Sequence, residues 1–133
     1  MSIQITLSKL IKSFGYAGQG FPVAFKGRNM RVHGIAALLV ILTGLWFGIT
    51  RFEWLVIFIF IAAVWSLEMI NTAIEDLANT MRDTNHLGYE ATKKARDVAA
   101  GAVLIMAIIA AICAVIIFLP YIWLKPIEVY PGY

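Results

Sequence analysis

The sequence predicts an all-α membrane protein with three transmembrane helices and an N-terminal amphipathic surface helix. The chain has 133 residues, of which 61% are hydrophobic and 14% are charged, and its mean hydropathy is +0.81. Soluble domains are nearer half apolar and a quarter charged, and they avoid the large exposed apolar patches that this composition would require. The composition therefore argues against a water-soluble globule, and we expect no nucleic-acid partner.

The N-terminal segment, residues 1–25, is too polar to cross a membrane. Its apolar residues recur at helical spacing: Ile3, Leu7, Leu10, Ile11 and Phe14. This pattern predicts an amphipathic helix on the cytoplasmic leaflet, with a disordered tail as the alternative. Three glycines and a proline follow, and they predict an irregular linker at the far end of the helix: Gly15, Gly18, Gly20 and Pro22.

Three apolar stretches follow, at residues 32–50, 52–67 and 98–119. A spanning helix needs about 20 apolar residues, so the first and third stretches suffice. The second is long enough only if its helix continues through Glu68, Asn71 and Glu75. We therefore predict spans at about 31–50, 53–80 and 92–119 within a domain of residues 26–123, followed by a C-terminal tail at 124–133.

The orientation follows from the basic residues, because loops rich in Lys and Arg stay in the cytoplasm. Two of the 11 basic residues, Arg51 and Lys125, fall on one side of the predicted spans. The other nine fall on the opposite side: Lys9, Lys12, Lys26, Arg28, Arg31, Arg82, Lys93, Lys94 and Arg96. The N-terminus and the second loop are therefore predicted to be cytoplasmic, and the C-terminus to be outside.

The second predicted span carries a polar stripe. Residues three and four apart share one face of a helix, and here that face consists of Glu68, Asn71, Thr72, Glu75 and Asn79. A charge at the centre of a bilayer costs about 3 kcal/mol or more. The stripe is therefore expected to face a bundle interior, a subunit interface or a wet cleft rather than lipid.

Two interpretations of this stripe are open. In the structural one, Glu68 and Glu75 form ion pairs with Arg82, Arg96 or Lys94. In the functional one, Glu75 and Asn71 bind Mg²⁺, which prefers oxygen ligands and needs only one or two carboxylates beside substrate phosphates. Glu68 lies one further turn into the bilayer and is then a candidate general base.

The loop after the stripe supplies cations suited to a polyphosphate. Its candidate residues are His86, Lys93, Lys94, Arg96 and Asp97. Ordinary membrane topology already explains Lys93 and Lys94, and a local ion pair is the alternative for Arg96 and Asp97. The sequence contains no glycine-rich phosphate loop, so any nucleotide is held in another way.

Three segments resemble the prokaryotic diacylglycerol kinase and undecaprenol kinase family. Residues 68–75 read Glu-Met-Ile-Asn-Thr-Ala-Ile-Glu, and residues 95–104 read Ala-Arg-Asp-Val-Ala-Ala-Gly-Ala-Val-Leu. Residues 28–33, Arg-Asn-Met-Arg-Val-His, resemble the family's first cytoplasmic segment. The resemblance implies a homotrimeric, multi-pass protein of the bacterial cell membrane that transfers the γ-phosphate of ATP, with Mg²⁺, to a lipid hydroxyl.

The resemblance also implies roles for individual residues. Glu68 corresponds to the proposed base, while Asn71 and Glu75 hold metal and phosphate. His86, Arg96 and Asp97 contribute to nucleotide binding.

The chain departs from the family pattern at three positions. Gly27 stands where a glutamate is usual, Asn79 where an aspartate is common, and Arg96 where a lysine is usual. We expect undecaprenol as the acceptor, with diacylglycerol as the alternative. A third interpretation, from a different functional class, is a catalytically impaired binding or assembly subunit of the same fold.

Overall fold

The computed structural model describes residues 3–85 and 88–124, and within them every element is an α-helix. The four helices are α1 (Ile3–Lys26), α2 (Arg28–Phe47), α3 (Arg51–Asn85) and α4 (Tyr89–Leu124). Helices α2, α3 and α4 are long and apolar enough to cross a membrane. The predicted all-α membrane fold is confirmed, whereas His86 and residues 125–133 lie outside the described residues.

The prediction of an irregular end to the first helix was wrong. Helix α1 runs without interruption through its glycines and Pro22 to Lys26. Its last turns pack on the bundle, since Ala24 is buried and the Phe25 ring meets the Trp65 ring edge-on at 5.3 Å between centroids. Packing of this kind stabilises a helix whose residues are poor helix formers in isolation.

The first half of α1 presents an apolar face that no other described element covers. Its large side chains are more than half exposed: Leu7, Leu10, Ile11 and Phe14. An apolar stripe left open on a helix with Lys9 and Lys12 fits a helix lying on a lipid surface.

The turn between α2 and α3 depends on two glycines. Gly48 ends α2 in the left-handed conformation, with φ 64° and ψ 47°, and its N–H donates to the Gly44 carbonyl at 3.0 Å. This conformation favours glycine because a side chain would crowd the backbone. A Cβ on Gly44 would lie 2.9 Å from Cη2 of Trp54, so this glycine lets α2 and α3 approach closely.

Helices α3 and α4 form the main packed pair, and α2 lies against α3. With 35 residues, α3 is about 52 Å long, whereas the hydrocarbon layer of a bilayer is about 30 Å thick. Glu68 lies about 26 Å along the axis from Arg51, and Glu75 about 36 Å.

The two ends of the bundle differ in composition. At the end where α3 begins, Ile49, Ile57 and Phe118 form a buried apolar cluster, against which Phe47 and Tyr121 pack. At the other end of the bundle, two polar residues of α3, Glu68 and Asn71, are among the most deeply buried.

Candidate active site

The polar stripe lies on one face of α3, and that face is turned into the protein. Glu68 is 3% exposed and Asn71 is 1% exposed. Glu75 and Asn79 are partly buried. The predicted helix through these residues is confirmed, because α3 is continuous from Arg51 to Asn85.

Asn71 and Glu75 are joined by a hydrogen bond. Nδ2 of Asn71 donates to Oε1 of Glu75 at 3.1 Å, across one helical turn. Oδ1 of Asn71 is buried and has no hydrogen-bond partner among the described residues. Leaving a buried acceptor unpaired costs about 1–3 kcal/mol. This amide oxygen and the Glu75 carboxylate therefore form a pair of oxygen donors with unused capacity.

Glu68 has no hydrogen bond or ion pair to any described residue. The ion pairs that the described residues form are Arg82–Asp83 at 3.0 Å and Lys93–Glu90 at 3.8 Å, and all four side chains are exposed. The structural interpretation, in which basic residues neutralise Glu68 and Glu75, is therefore not what this protomer shows. A buried carboxylate without a partner is costly, and such groups are retained mainly where they function.

Arg96 reaches back from α4 to the end of the stripe. Its Nη2 donates to Oδ1 of Asn79 at 3.0 Å, and its Nε donates to Oγ1 of Thr92 at 3.4 Å. Its guanidinium carbon lies 5.2 Å from the centroid of the Tyr89 ring. These partners are all neutral, so they orient the guanidinium without neutralising it. Two of the three departures from the family pattern, Asn79 and Arg96, thus contact each other.

The structure describes one of the two other predicted nucleotide-binding residues. Asp97 is exposed. His86 lies outside the described residues. Lys94, which the sequence explained by topology alone, shares the lining of an open cleft of about 600 Å³ between α3 and α4 with Asn71.

Two residues that hold Arg96 were not predicted from the sequence. Tyr89 and Thr92 precede it by seven and four positions, which places all three on one face of α4. The spacing of four and seven residues was the signal in the sequence that could have identified Tyr89 and Thr92.

The oxygen donors of the stripe fit a magnesium ion that substrate phosphates also hold. The described residues contain no cluster of three or more His, Cys, Asp or Glu side chains that could hold a metal alone. Mg²⁺ rarely needs such a cage, since one or two carboxylates together with substrate phosphates hold it. Glu75 and the unpartnered Oδ1 of Asn71 match that requirement.

Comparison with known proteins connects this arrangement to an enzyme family. The family model for prokaryotic diacylglycerol kinase matches residues 15–118. An undecaprenol kinase of Bacillus subtilis is 39% identical over 115 residues, which cover 86% of this chain and 91% of that protein. No solved structure gives a significant match.

Two further relatives are named diacylglycerol kinase. The one from Synechocystis is 35% identical over 112 residues, covering 84% of this chain and 63% of that protein. The one from Escherichia coli K12 is 27% identical over 106 residues, covering 79% of this chain and 84% of that protein. The matched region contains the whole polar stripe, Arg96 and Asp97. The chain belongs to the prokaryotic diacylglycerol kinase family and is a lipid kinase of the bacterial membrane.

Proposed function

We propose that the protein transfers the γ-phosphate of ATP to the hydroxyl of undecaprenol. The observation that carries this proposal is the buried Glu68, which has no hydrogen-bond partner among the described residues and lies beside the Asn71–Glu75 pair. Undecaprenol is preferred because the B. subtilis relative of that name is 39% identical and matches along most of both chains.

Glu68 is the proposed general base. It lies deepest on the stripe, so it is the carboxylate that a hydroxyl at headgroup level reaches first. In its charged form it accepts the proton from that hydroxyl as the oxygen attacks the phosphate. Correct protonation and positioning of such a group contribute about 10²- to 10⁴-fold to a rate.

The nucleotide is proposed to approach from the opposite end of the stripe. The sequence after Asn79 contains three candidate nucleotide-binding residues: His86, Arg96 and Asp97. The guanidinium of Arg96 is already oriented by its hydrogen bonds to Thr92 and Asn79. Charge on a transferring phosphoryl group is stabilised by such cations. Glu75 and Oδ1 of Asn71 would hold Mg²⁺, which neutralises phosphate charge when bound.

The acceptor is tested directly with purified protein, radiolabelled ATP and Mg²⁺. Separate reactions contain undecaprenol or diacylglycerol, and a Glu68→Gln variant is the matched control. Transfer of label to undecaprenol that is lost in the variant supports the proposal. Transfer to diacylglycerol alone would instead favour the activity named for the Synechocystis and E. coli relatives.

A catalytically impaired subunit is the second candidate function. Gly27 and Asn79, which lack the carboxylates usual at those positions, favour it. The buried Glu68 and Asn71 and the partly buried Glu75 oppose it. Transfer to neither lipid, by protein that is folded and oligomeric, would decide for this candidate.

We also propose that the N-terminus and the stripe end of α3 are cytoplasmic and the C-terminus is outside. The nine-to-two distribution of basic residues supports this orientation. Ser2→Cys and Gly132→Cys, each in a Cys113→Ala background, test it on intact cells with a membrane-impermeant thiol reagent. The expected result is labelling at position 132 and not at position 2, and labelling at both would contradict it.

A homotrimer is proposed as the assembly. Large apolar side chains along α2, α3 and α4 remain exposed in one protomer, such as Leu38, Phe58 and Ile105. They leave ample surface for lipid and for neighbouring protomers. Native mass spectrometry from detergent micelles, which counts the protomers, tests this proposal.

A further inference from the structure

Arg96 differs from two other basic residues at the same end of the bundle in the groups that hold it. Arg82 pairs with the carboxylate of Asp83 at 3.0 Å. Lys93 lies 3.8 Å from the carboxylate of Glu90. Arg96 forms no ion pair with a described residue, although it is partly buried. Its positive charge is therefore not balanced by a carboxylate within this protomer.

The contact between Asn79 and Arg96 joins α3 to α4. Nη2 of Arg96 donates to Oδ1 of Asn79 at 3.0 Å, and both side chains are partly buried. Because a guanidinium has donors and no acceptor, the amide oxygen of Asn79 faces Arg96 and its NH₂ group turns away. Asn79 follows Glu75 by about 6 Å along the helix axis. The guanidinium is therefore held about one turn of α3 from the proposed Mg²⁺ ligand.

The guanidinium of Arg96 keeps most of its hydrogen-bond donors. Of the five N–H groups of an arginine, the contacts with Asn79 and Thr92 use one on Nη2 and the one on Nε. The others, on Nη1 and Nη2, have no partner among the described residues. These two terminal nitrogens match the spacing of two oxygens of a phosphate group. Asn79 thus fixes the direction of the guanidinium and leaves its charge available to an anion.

A carboxylate at position 79 would have the opposite effect. It would form an ion pair with the guanidinium, as Asp83 does with Arg82, and it could engage two N–H groups at once. It would also replace the NH₂ group of Asn79, which can donate to a phosphate oxygen, with an oxygen that repels one. A neutral amide is therefore better suited than a carboxylate to hold a cation that binds a polyanion.

We propose that Asn79 is a positioning residue for the nucleotide: it orients Arg96 toward the phosphates of ATP and, being neutral, leaves the positive charge of Arg96 available. The proposal rests on the proposed function, since it assumes that a nucleotide binds at this end of the stripe. This role is the opposite of a lost metal ligand, which is the interpretation under which Asn79 favours a catalytically impaired subunit. The two interpretations predict opposite results for Asn79→Asp.

Binding of ATP in the presence of EDTA tests the proposal without lipid phosphorylation and without a metal that a new carboxylate could bind. Isothermal titration calorimetry on the purified oligomer measures Kd. Asn79→Asp should raise Kd about tenfold, as expected for the loss of one charge-assisted hydrogen bond. Thr80→Asp adds the same charge at the next position of α3, which is exposed and lies on another face, and it should bind like the parent. Equal Kd values for the two variants would overturn the proposal.

A double-mutant cycle shows whether Asn79 acts through Arg96. Asn79→Ala removes the acceptor and should raise the Kd for ATP about threefold, the effect of one neutral hydrogen bond. In an Arg96→Gln background the same change should have no further effect, because the group that Asn79 orients is gone. An equal effect of Asn79→Ala in both backgrounds would overturn the proposal, since Asn79 would then contact the nucleotide directly or support the fold.

Steady-state kinetics with Mg²⁺ and lipid separate the two interpretations of Asn79. For a positioning residue, Asn79→Asp raises KM for ATP about tenfold with a much smaller change in kcat. For a lost metal ligand, the same variant raises kcat and lowers the Mg²⁺ concentration for half-maximal rate, which would overturn the proposal. If the parent binds ATP but phosphorylates no lipid, the proposed function fails while the Kd values still decide the role of Asn79. If the parent binds no ATP with or without Mg²⁺, both fail.

Discussion

Two glutamates on α3 have opposite environments, one in the first turn of the helix and one near its middle. Glu53, in the first turn, accepts hydrogen bonds at Oε2 from the backbone N–H of Thr50, the hydroxyl of Thr50 and the hydroxyl of Tyr121, each at 2.7 Å. Glu68, four turns further on, is more deeply buried and has no such partner among the described residues. The glutamate in the first turn is thus held by three hydrogen bonds, whereas the one near the middle of the helix is left unpaired.

The difference separates a structural carboxylate, Glu53, from Glu68, which we propose to be the functional one. Thr50 and Glu53 form a capping box, in which each side chain pairs with the backbone of the other, and Tyr121 joins this cap to α4. This arrangement engages Oε2 of the carboxylate in three hydrogen bonds. Glu68 keeps its capacity to accept a proton or bind a ligand, which is what a catalytic group requires before substrate arrives.

The largest expected effect comes from Glu68→Gln. The amide has the same shape but cannot act as a base, so kcat is expected to fall about 10²- to 10⁴-fold while KM for ATP changes little. The measurement is steady-state kinetics with saturating lipid. The matched control is Glu53→Gln, which we expect to keep kcat within about twofold of the parent. A similar loss of kcat in both variants would remove the distinction between the two glutamates.

Glu75→Gln is expected to have the next largest effect. It removes a ligand charge from the proposed Mg²⁺ site, so the Mg²⁺ concentration for half-maximal rate and the KM for ATP should both rise. We expect a rise of about 10- to 100-fold, the range seen when a group that supports a metal site is removed. Titration with Mg²⁺ at fixed ATP measures this. Glu90→Gln, which alters an exposed carboxylate on α4, is the control. Parent-like Mg²⁺ dependence in Glu75→Gln would exclude this residue as a ligand.

The third prediction concerns the capping box formed by Thr50 and Glu53. Glu53→Ala removes the cap on α3 and the contact with Tyr121, so thermal inactivation should occur about 5 °C lower, a shift typical of losing one cap in a domain of this size. The kcat of the surviving protein should be unchanged. Inactivation half-lives in detergent measure the first effect and initial rates the second. Unchanged stability would mean that the cap contributes nothing, whereas a reduced kcat would link this end to catalysis.

Local patterns in the sequence predicted much of this arrangement. The period of three and four residues located Glu68, Asn71, Glu75 and Asn79 on one face, because helical geometry alone fixes such neighbours. It predicted correctly that this face avoids lipid, since Glu68 and Asn71 are buried.

Contacts between distant residues could not be predicted in this way. Tyr121 and Glu53 are 68 positions apart, and Arg96 and Asn79 are 17 apart, so their pairing depends on how α3 and α4 pack. The straight course of α1 through Pro22 also depends on tertiary packing, which overrides the low helix propensity of glycine and proline. Local propensity therefore failed where a neighbouring helix decided the outcome.

The smallest expected effect concerns Tyr89, whose ring supports Arg96 at the end of the stripe where we propose that the nucleotide binds. A guanidinium over an exposed aromatic ring gains about 0.5–1 kcal/mol, which corresponds to about a two- to fivefold change in an equilibrium constant. Tyr89→Leu should therefore raise KM for ATP about two- to fivefold and leave kcat unchanged, because the guanidinium keeps its bonds to Asn79 and Thr92. Tyr89→Phe retains the ring and should match the parent. If both variants raise KM equally, the tyrosine hydroxyl rather than the ring contributes, and if neither does, Asn79 and Thr92 orient Arg96 without it.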